Sequence, residues 1–133
     1  MTRYEAAVEN KKSGLNCTES VMRAYADLID LDDNQLKSIA SGFAIGMGCF
    51  ESTCGALIGA NIVLGLLNKT GKRTNSFSSE LLKSFEEMSG ATQCKVLKGI
   101  ETGNMLCSCN DCVKNACIAL DAELKKIGVD LSA

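Results

Sequence analysis

Residues 52–68 read STCGALIGANIVLGLLN, a run without one charged side chain. From about Thr53 to Leu67 it is apolar on every side, and a helix of that kind belongs in the middle of a bundle. The run falls short of a full bilayer span and carries Ser, Thr, Asn and several Gly. It therefore reads as a buried central helix and not as a transmembrane one. Gly55-x-x-x-Gly59 and Ala56-x-x-x-Ala60 put small residues one turn apart, a spacing that lets another backbone come close.

Outward from this run, helical periodicity continues and no convincing alternating strand is found. Tyr4, Ala7, Val8 and Leu15 begin a first apolar stripe. Val21, Ala24, Tyr25 and Leu28 form the next, on a helix opened by Asn16, with Glu19 three residues on as in a capping box. Leu36, Ile39, Ala40 and Phe43 form a third after the acidic start Asp32-Asp33. Gly42, Gly46 and Gly48 then mark a bend or an irregular passage. After a polar loop, Lys69 to Thr74, a further helix shows Phe77, Leu81, Phe85 and Met88, and Gly90 ends it. A short turn of helix is expected around Thr92 to Leu97. The last helix is expected from about Asp111 to Ile127, with Val113, Cys117, Leu120, Leu124 and Ile127 on its face and Gly128 closing it. The expectation is an all-α fold. It is a single domain over 1–133, a helical bundle of about five to six helices around a central apolar Gly/Ala-rich helix. Short helices at both ends leave room for a homodimer.

Composition removes whole function classes. The 133 residues are 46% hydrophobic and 23% charged, the ordinary globular balance. There is no His, Pro or Trp. Without His there is no Ser/His/Asp triad, no Cys/His protease pair, no Cys₂His₂ finger and no His-ligated haem. Without Pro a thioredoxin-like fold, with its cis-Pro beside the redox motif, is disfavoured. A net charge of −2 argues against nucleic acid as a partner, and Lys11-Lys12 and Lys69 to Arg73 are too short for a basic patch. The glycines near Gly46 and Gly48 make no dinucleotide fingerprint, and there is no Walker motif. Met22, Met47, Met88 and Met105 read as packing, and Lys83, Glu86 and Glu87 as a solvated face. The opening MTRYEAAVENKK has no apolar core and no cleavage site, so it does not read as a signal peptide. A cytoplasmic location with no membrane insertion is expected, where thiols are reduced.

The positive anomaly is eight cysteines. In a reducing compartment they point to catalysis, redox sensing or metal binding more than to stapling. Four share a setting: Asn16 precedes Cys17, Ser52-Thr53 precedes Cys54, Thr92-Gln93 precedes Cys94 and Asn110-Asp111 precedes Cys112. Each follows a helix-capping residue and so falls in a first turn. There the helix dipole and free N–H groups favour the thiolate, which is the form that attacks disulfides and binds metals. Cys117 lies on the apolar stripe of the last helix and reads as a core residue. Cys107-Ser-Cys109-Asn-Asp-Cys112 contains CxC and CxxC at a helix entrance, but no second CxxC stands at zinc-ribbon spacing. Cys49 and Cys54 flank the entrance of the central helix, as a local pair or as added ligands.

Cys54-Gly-Ala-Leu-Ile-Gly-Ala60, preceded by Gly46-Met-Gly48 and followed by Leu64-Gly-Leu66, resembles the CGAxxG core of a small prokaryotic family named for its cysteine string, C_GCAxxG_C_C. Asn16-Cys17 followed by Val21 is similar to the family's early cysteine. Phe85-Glu-Glu-Met-Ser-Gly90-Ala-Thr-Gln-Cys94-Lys-Val-Leu97 resembles its F-x₄-G-x₃-C-x₂-L element. Cys112-Val-Lys-Asn-Ala resembles its final cysteine, and the likeness runs from about Tyr4 to Leu124. The resemblance implies redox activity without naming a substrate. It also implies that Cys17, Cys54, Cys94 and Cys112 are the signature cysteines, the same four that capping selects. Cys49, Cys107, Cys109 and Cys117 lie outside the pattern, and either Cys109 or Cys112 can fill the last slot.

Three functions follow as expectations. The first is a thiol–disulfide redox protein needing no cofactor, with Cys54, Cys17, Cys94 and Cys112 as catalytic candidates and a redox protein or small thiol or disulfide as partner. With no His, activation must come from helix dipoles or Lys. The second is a Cys-ligated zinc or iron–sulfur site on Cys17, Cys54, Cys94 and Cys112, with Cys49 or Cys109 as further ligands. The third is a non-catalytic helical interaction domain with packed cysteines.

Overall fold

Short polar side chains set where several of the helices begin. Thr2, Asn16, Asp32 and Ser108 each accept a hydrogen bond from the backbone N–H three residues on, at 2.8–3.2 Å, which satisfies one orphan donor at each start. The computed structural model describes residues 1–132, among which seven α-helices follow one another. They are α1 (Arg3–Lys12), α2 (Cys17–Arg23), α3 (Asp33–Ala40), α4 (Gly55–Leu67), α5 (Thr74–Ser89), α6 (Cys94–Lys98) and α7 (Cys109–Lys126). An irregular helical turn, Gly46–Phe50, joins α3 to α4. The all-α expectation is met, with seven α-helices among the described residues against the five to six expected.

The apolar run forms α4, with Gly55, Ala56, Leu57, Gly59, Ala60, Val63 and Leu64 buried. It packs on α2, α5 and α7, while α7 touches α1, α2, α4 and α5, so two helices share the centre. The small-residue face of α4 meets α2. A Cβ on Gly59 would stand 2.7 Å from the Thr18 carbonyl oxygen, and one on Gly55 2.9 Å from Thr18 Oγ1. Thr18 Oγ1 uses that closeness to donate to the Gly55 carbonyl at 2.9 Å. The predicted faces of α5 and α7 are buried at Leu81 and Phe85 and at Val113, Cys117, Leu120 and Leu124. Ile39 and Met88, assigned to stripes from their spacing, are 38% and 41% exposed.

Two boundaries differ from the sequence reading. Cys54 is itself the cap residue of α4, and α7 opens at Cys109, two residues before the expected Asp111. Asn16 caps α2, but the box with Glu19 is only half formed. The Glu19 carboxylate turns to the Arg23 guanidinium, 2.6 Å away. Among the described residues the only strand-like pairing is an isolated antiparallel bridge, Thr53 with Gln93. No helix among them is long and apolar enough to cross a membrane.

Candidate functional site

Helix entrances bring five thiols to one end of the molecule. The close α2–α4 crossing at Thr18 sets Cys17, the first residue of α2, beside Cys54 at the head of α4. The Thr53–Gln93 bridge does the same for α6: Cys54 N–H donates to the Thr92 carbonyl at 2.8 Å and Cys94 N–H to the Ser52 carbonyl at 3.0 Å. α4 and α6 therefore start side by side. The chain leaves α6 through Gly99, at φ +69, where a Cβ would strike the Asn104 carbonyl carbon at 2.4 Å. It returns to donate from Leu106 and Cys107 to the Leu97 carbonyl. That return places the first turn of α7, with Cys109 and Cys112, against the same site.

The thiols meet in facing pairs. Cys17 and Cys109 lie close enough for each thiol to shift the other's titration, and so do Cys54 and Cys112. Cys17, Cys54, Cys94 and Cys109 line a cleft of about 310 Å³. The remaining wall includes Leu15, Ala44, Ile45, Phe50, Lys11 and Lys98. Cys112 lies behind this wall, fully buried, and its thiol faces the Cys107 carbonyl at 3.8 Å. Lys98, four residues after Cys94 and so on the same helix face, reaches over the cluster. Its Nζ donates to the Cys107 carbonyl at 3.1 Å and to Cys112 Sγ at 3.4 Å.

These contacts sort the protons within each pair. The hydrogen bond from Cys17 holds the Cys109 thiol well below the usual range, and the Lys98 and Lys11 charges add to this. Cys17 moves up in return, through its bond to Cys109 and its burial. Cys54 is held below the usual range by a hydrogen bond from Cys112, by the backbone N–H groups of Ala56 and Leu57, and by Lys98. Those N–H groups face the sulfur at the helix head without closing a capping hydrogen bond. Cys112 moves up through its bond to Cys54 and its burial. Lys98 comes nearest to Cys112 and opposes that rise, but the Cys54 charge and the dry surroundings outweigh it. Each pair thus shares one proton, a coupled titration in which the first proton leaves early and the second late. Cys94 is raised by burial and by the charge on Cys54. Burial by itself would lower Lys98, yet the charges of Cys112, Cys109 and Cys54 raise it.

The wall beside Cys94 is a left-handed turn. Ile45, Gly46, Met47, Gly48 and Phe50 have φ of +58, +55, +60, +83 and +65. L-residues avoid this region, a β-branched one most of all. The turn is seated on the site: a Cβ on Gly46 would lie 2.8 Å from the Cys94 Cβ.

The four sequence-selected cysteines are therefore gathered at one end of the bundle, but not as a foursome. Cys17 is paired with Cys109 and Cys54 with Cys112, and Cys94 lines the same cleft as Cys17, Cys54 and Cys109. Cys109 heads α7 because Ser108 is the cap, with Asp111 three residues on. That Ser-x-x-Asp pattern stands in the sequence two residues before the competing Asn110-Asp111 signal. Lys98 was missed, and only its spacing from Cys94 signals it. Cys49 sits exposed on the turn, with its sulfur 3.7 Å from the Gly46 carbonyl. Cys107 is buried, its sulfur accepting from Asn115 Nδ2 at 3.8 Å. Cys117 is buried in the core as expected. None of the eight, all of them described, is in a disulfide. Among the described residues, no three Cys, His, Asp or Glu side chains converge to hold a metal ion.

Over residues 15–122 the chain matches the model of the family described as "Putative redox-active protein (C_GCAxxG_C_C)". Neither a curated protein nor a solved structure matches it.

Proposed function

The chain belongs to the C_GCAxxG_C_C family, and on that premise we propose that it is a thiol–disulfide redox protein whose working dithiol is Cys109 with Cys17. The observation that carries this reading is the facing of these two thiols at a cleft that also holds Lys98 and Lys11. The Cys109 thiolate attacks one sulfur of a substrate disulfide. A mixed disulfide forms, and the other substrate sulfur leaves as a thiolate. Cys17 then gives up its proton to that leaving thiolate and attacks the Cys109 sulfur. The Cys17–Cys109 bond forms, and the second substrate sulfur leaves as a thiolate that water protonates. Two electrons pass from the protein dithiol to the substrate disulfide. The apolar wall of Leu15, Ala44, Ile45 and Phe50 keeps this exchange partly out of water, and Lys98 holds the negative charge at Cys109.

Reduced protein prepared without oxygen is exposed to oxidised glutathione, then quenched, weighed and peptide-mapped. The expected product is a Cys17–Cys109 disulfide, two hydrogens lighter and restored by reductant, and absent in Cys109→Ser. Cys17 and Cys109 both remaining open to alkylation would overturn the reading. A native mass of the starting protein that carries zinc, or iron with sulfide, would replace it with a ligand site.

A further inference from the structure

Cys54 and Cys112 do not enter the exchange above, yet they repeat its geometry one layer deeper. Cys54 lines the same cleft as Cys17 and Cys109, 2% exposed, and its charge acts on Cys17. Its partner Cys112 is fully buried and lines no part of the cleft. One ammonium, Lys98, touches the inner pair at Cys112 Sγ and lines the cleft that holds the outer pair. A disulfide substrate can thus meet Cys109 directly, whereas Cys112 can be reached only through Cys54.

Resting on the dithiol reading above, we propose that Cys54 and Cys112 form a second, interior dithiol that takes the disulfide over from Cys17–Cys109 and holds it away from solvent. The Cys54 thiolate attacks Cys17 Sγ, a Cys54–Cys17 bond forms, the Cys17–Cys109 bond breaks, and its electron pair leaves on Cys109. Cys112 then passes its proton toward Cys17 and attacks Cys54 Sγ. A Cys54–Cys112 bond forms, and Cys17 departs and keeps the proton. The outer pair is again Cys17 thiol and Cys109 thiolate, and the inner pair is oxidised by two electrons. Charge and protons are unchanged across the transfer, and no outside oxidant is needed. The direction of attack follows from the leaving group: a low-pKa thiol leaves faster, and Cys109 is the lower of the outer two. Once emptied, the outer pair can accept a second substrate disulfide, so one chain stores four electrons' worth of oxidation.

The test is a time course on the full reduced chain with oxidised glutathione, acid-quenched and mapped. The expected order is Cys17–Cys109 first, with two hydrogens lost, then Cys54–Cys112, with four lost in total. In Cys109→Ser the Cys54–Cys112 bond is expected to form about tenfold more slowly, because the more accessible thiolate, the one that meets the substrate first, is gone. In Cys112→Ala oxidation is expected to stop at two hydrogens, on Cys17 and Cys109. A wild-type endpoint of two hydrogens, with Cys54 and Cys112 still alkylated, overturns the relay and leaves the outer dithiol standing. Formation of Cys54–Cys112 at the wild-type rate in Cys109→Ser also overturns it. Absence of any Cys17–Cys109 bond overturns the outer dithiol and the relay with it. The ordering is read on the unaltered chain, so misfolding of a variant does not remove the test.

Discussion

Lys98 Nζ lies 3.4 Å from Cys112 Sγ and has no carboxylate partner among the described residues. Its neighbour Lys95 differs, being paired with Glu51 and Glu101. A half-buried ammonium without a carboxylate is stabilised by whatever negative charge the site holds, and here that charge is thiolate. The thiol cluster and this lysine are therefore one electrostatic unit.

Replacing Lys98 by Met removes the cation that helps to hold Cys109 and Cys54 below the ordinary thiol range. A lowered pKa means that thiolate persists as pH falls. Wild-type alkylation by iodoacetamide should therefore stay fast at neutral pH, below the ordinary thiol value of about 8.5. In Lys98→Met the pH profile should move upward by about one unit, so that the rate drops by up to about tenfold on the acid side of the profile and little at neutral pH. Lys98→Arg should keep most of the rate. Equal Cys109 alkylation rates in wild type and Lys98→Met on that acid side, measured by mass, would sink the idea.

The α2–α4 crossing should be intolerant of one methyl group at one glycine and welcome it at another. In Gly59→Ala the new Cβ meets a backbone oxygen at 2.7 Å, which cannot swing aside. Overpacking of this kind costs about 1–3 kcal/mol. Gly65, on the exposed side of α4, has nothing within 4 Å of its Cβ position. Gly65→Ala should stabilise by about 0.5–1 kcal/mol through helix propensity. Urea unfolding of the two variants decides the matter by opposite shifts of midpoint.

The left-handed turn should store strain that a substitution can release. Ile45 holds φ +58 with its side chain 56% exposed, so it has little packing to lose. Asn tolerates this region far better. Ile45→Asn should raise stability by about 1 kcal/mol, of the order of the penalty for an L-residue there. A lower thermal midpoint would show that contacts of Ile45 along the cleft outweigh its strained backbone.

Cys117 marks the opposite case, a thiol with no partner thiol. Burial pushes it up to about 12, so it stays protonated and unreactive at neutral pH. Cys117→Ala should cost about 1 kcal/mol for the small void left in the core. It should leave the alkylation rates of Cys109 and Cys17 untouched. A changed Cys109 rate would tie Cys117 to the cluster after all.

Much of the fold was readable because it rests on local repetition. The uncharged run around Leu57 and Val63 had to be central, and its Gly55 and Gly59 had to admit another backbone. Asn16 before Cys17 announced a capped start. The site was readable only as a set of cysteines near helix starts. The choice between Cys109 and Cys112 stays open in the sequence because two adjacent capping signals, Ser108 and Asn110-Asp111, compete within a few residues, and sequence gives no way to see which one the loop delivers to the entrance. Lys98 looked like one more basic residue near a helix end until α7 folded over it.

The sequence alone determined that this chain would be a helical bundle with several cysteines near helix starts and no histidine chemistry. Composition, periodicity and capping act over a few residues, and they carry that information directly. Which thiols face one another was decided only by the tertiary structure. Thr18 must approach Gly59, Thr53 must bridge to Gln93, and the return to Leu97 must bring Cys109 and Cys112 beneath Lys98. Those contacts join segments tens of residues apart, and a thiol's partner, burial and charge depend on them more than on its neighbours in the chain.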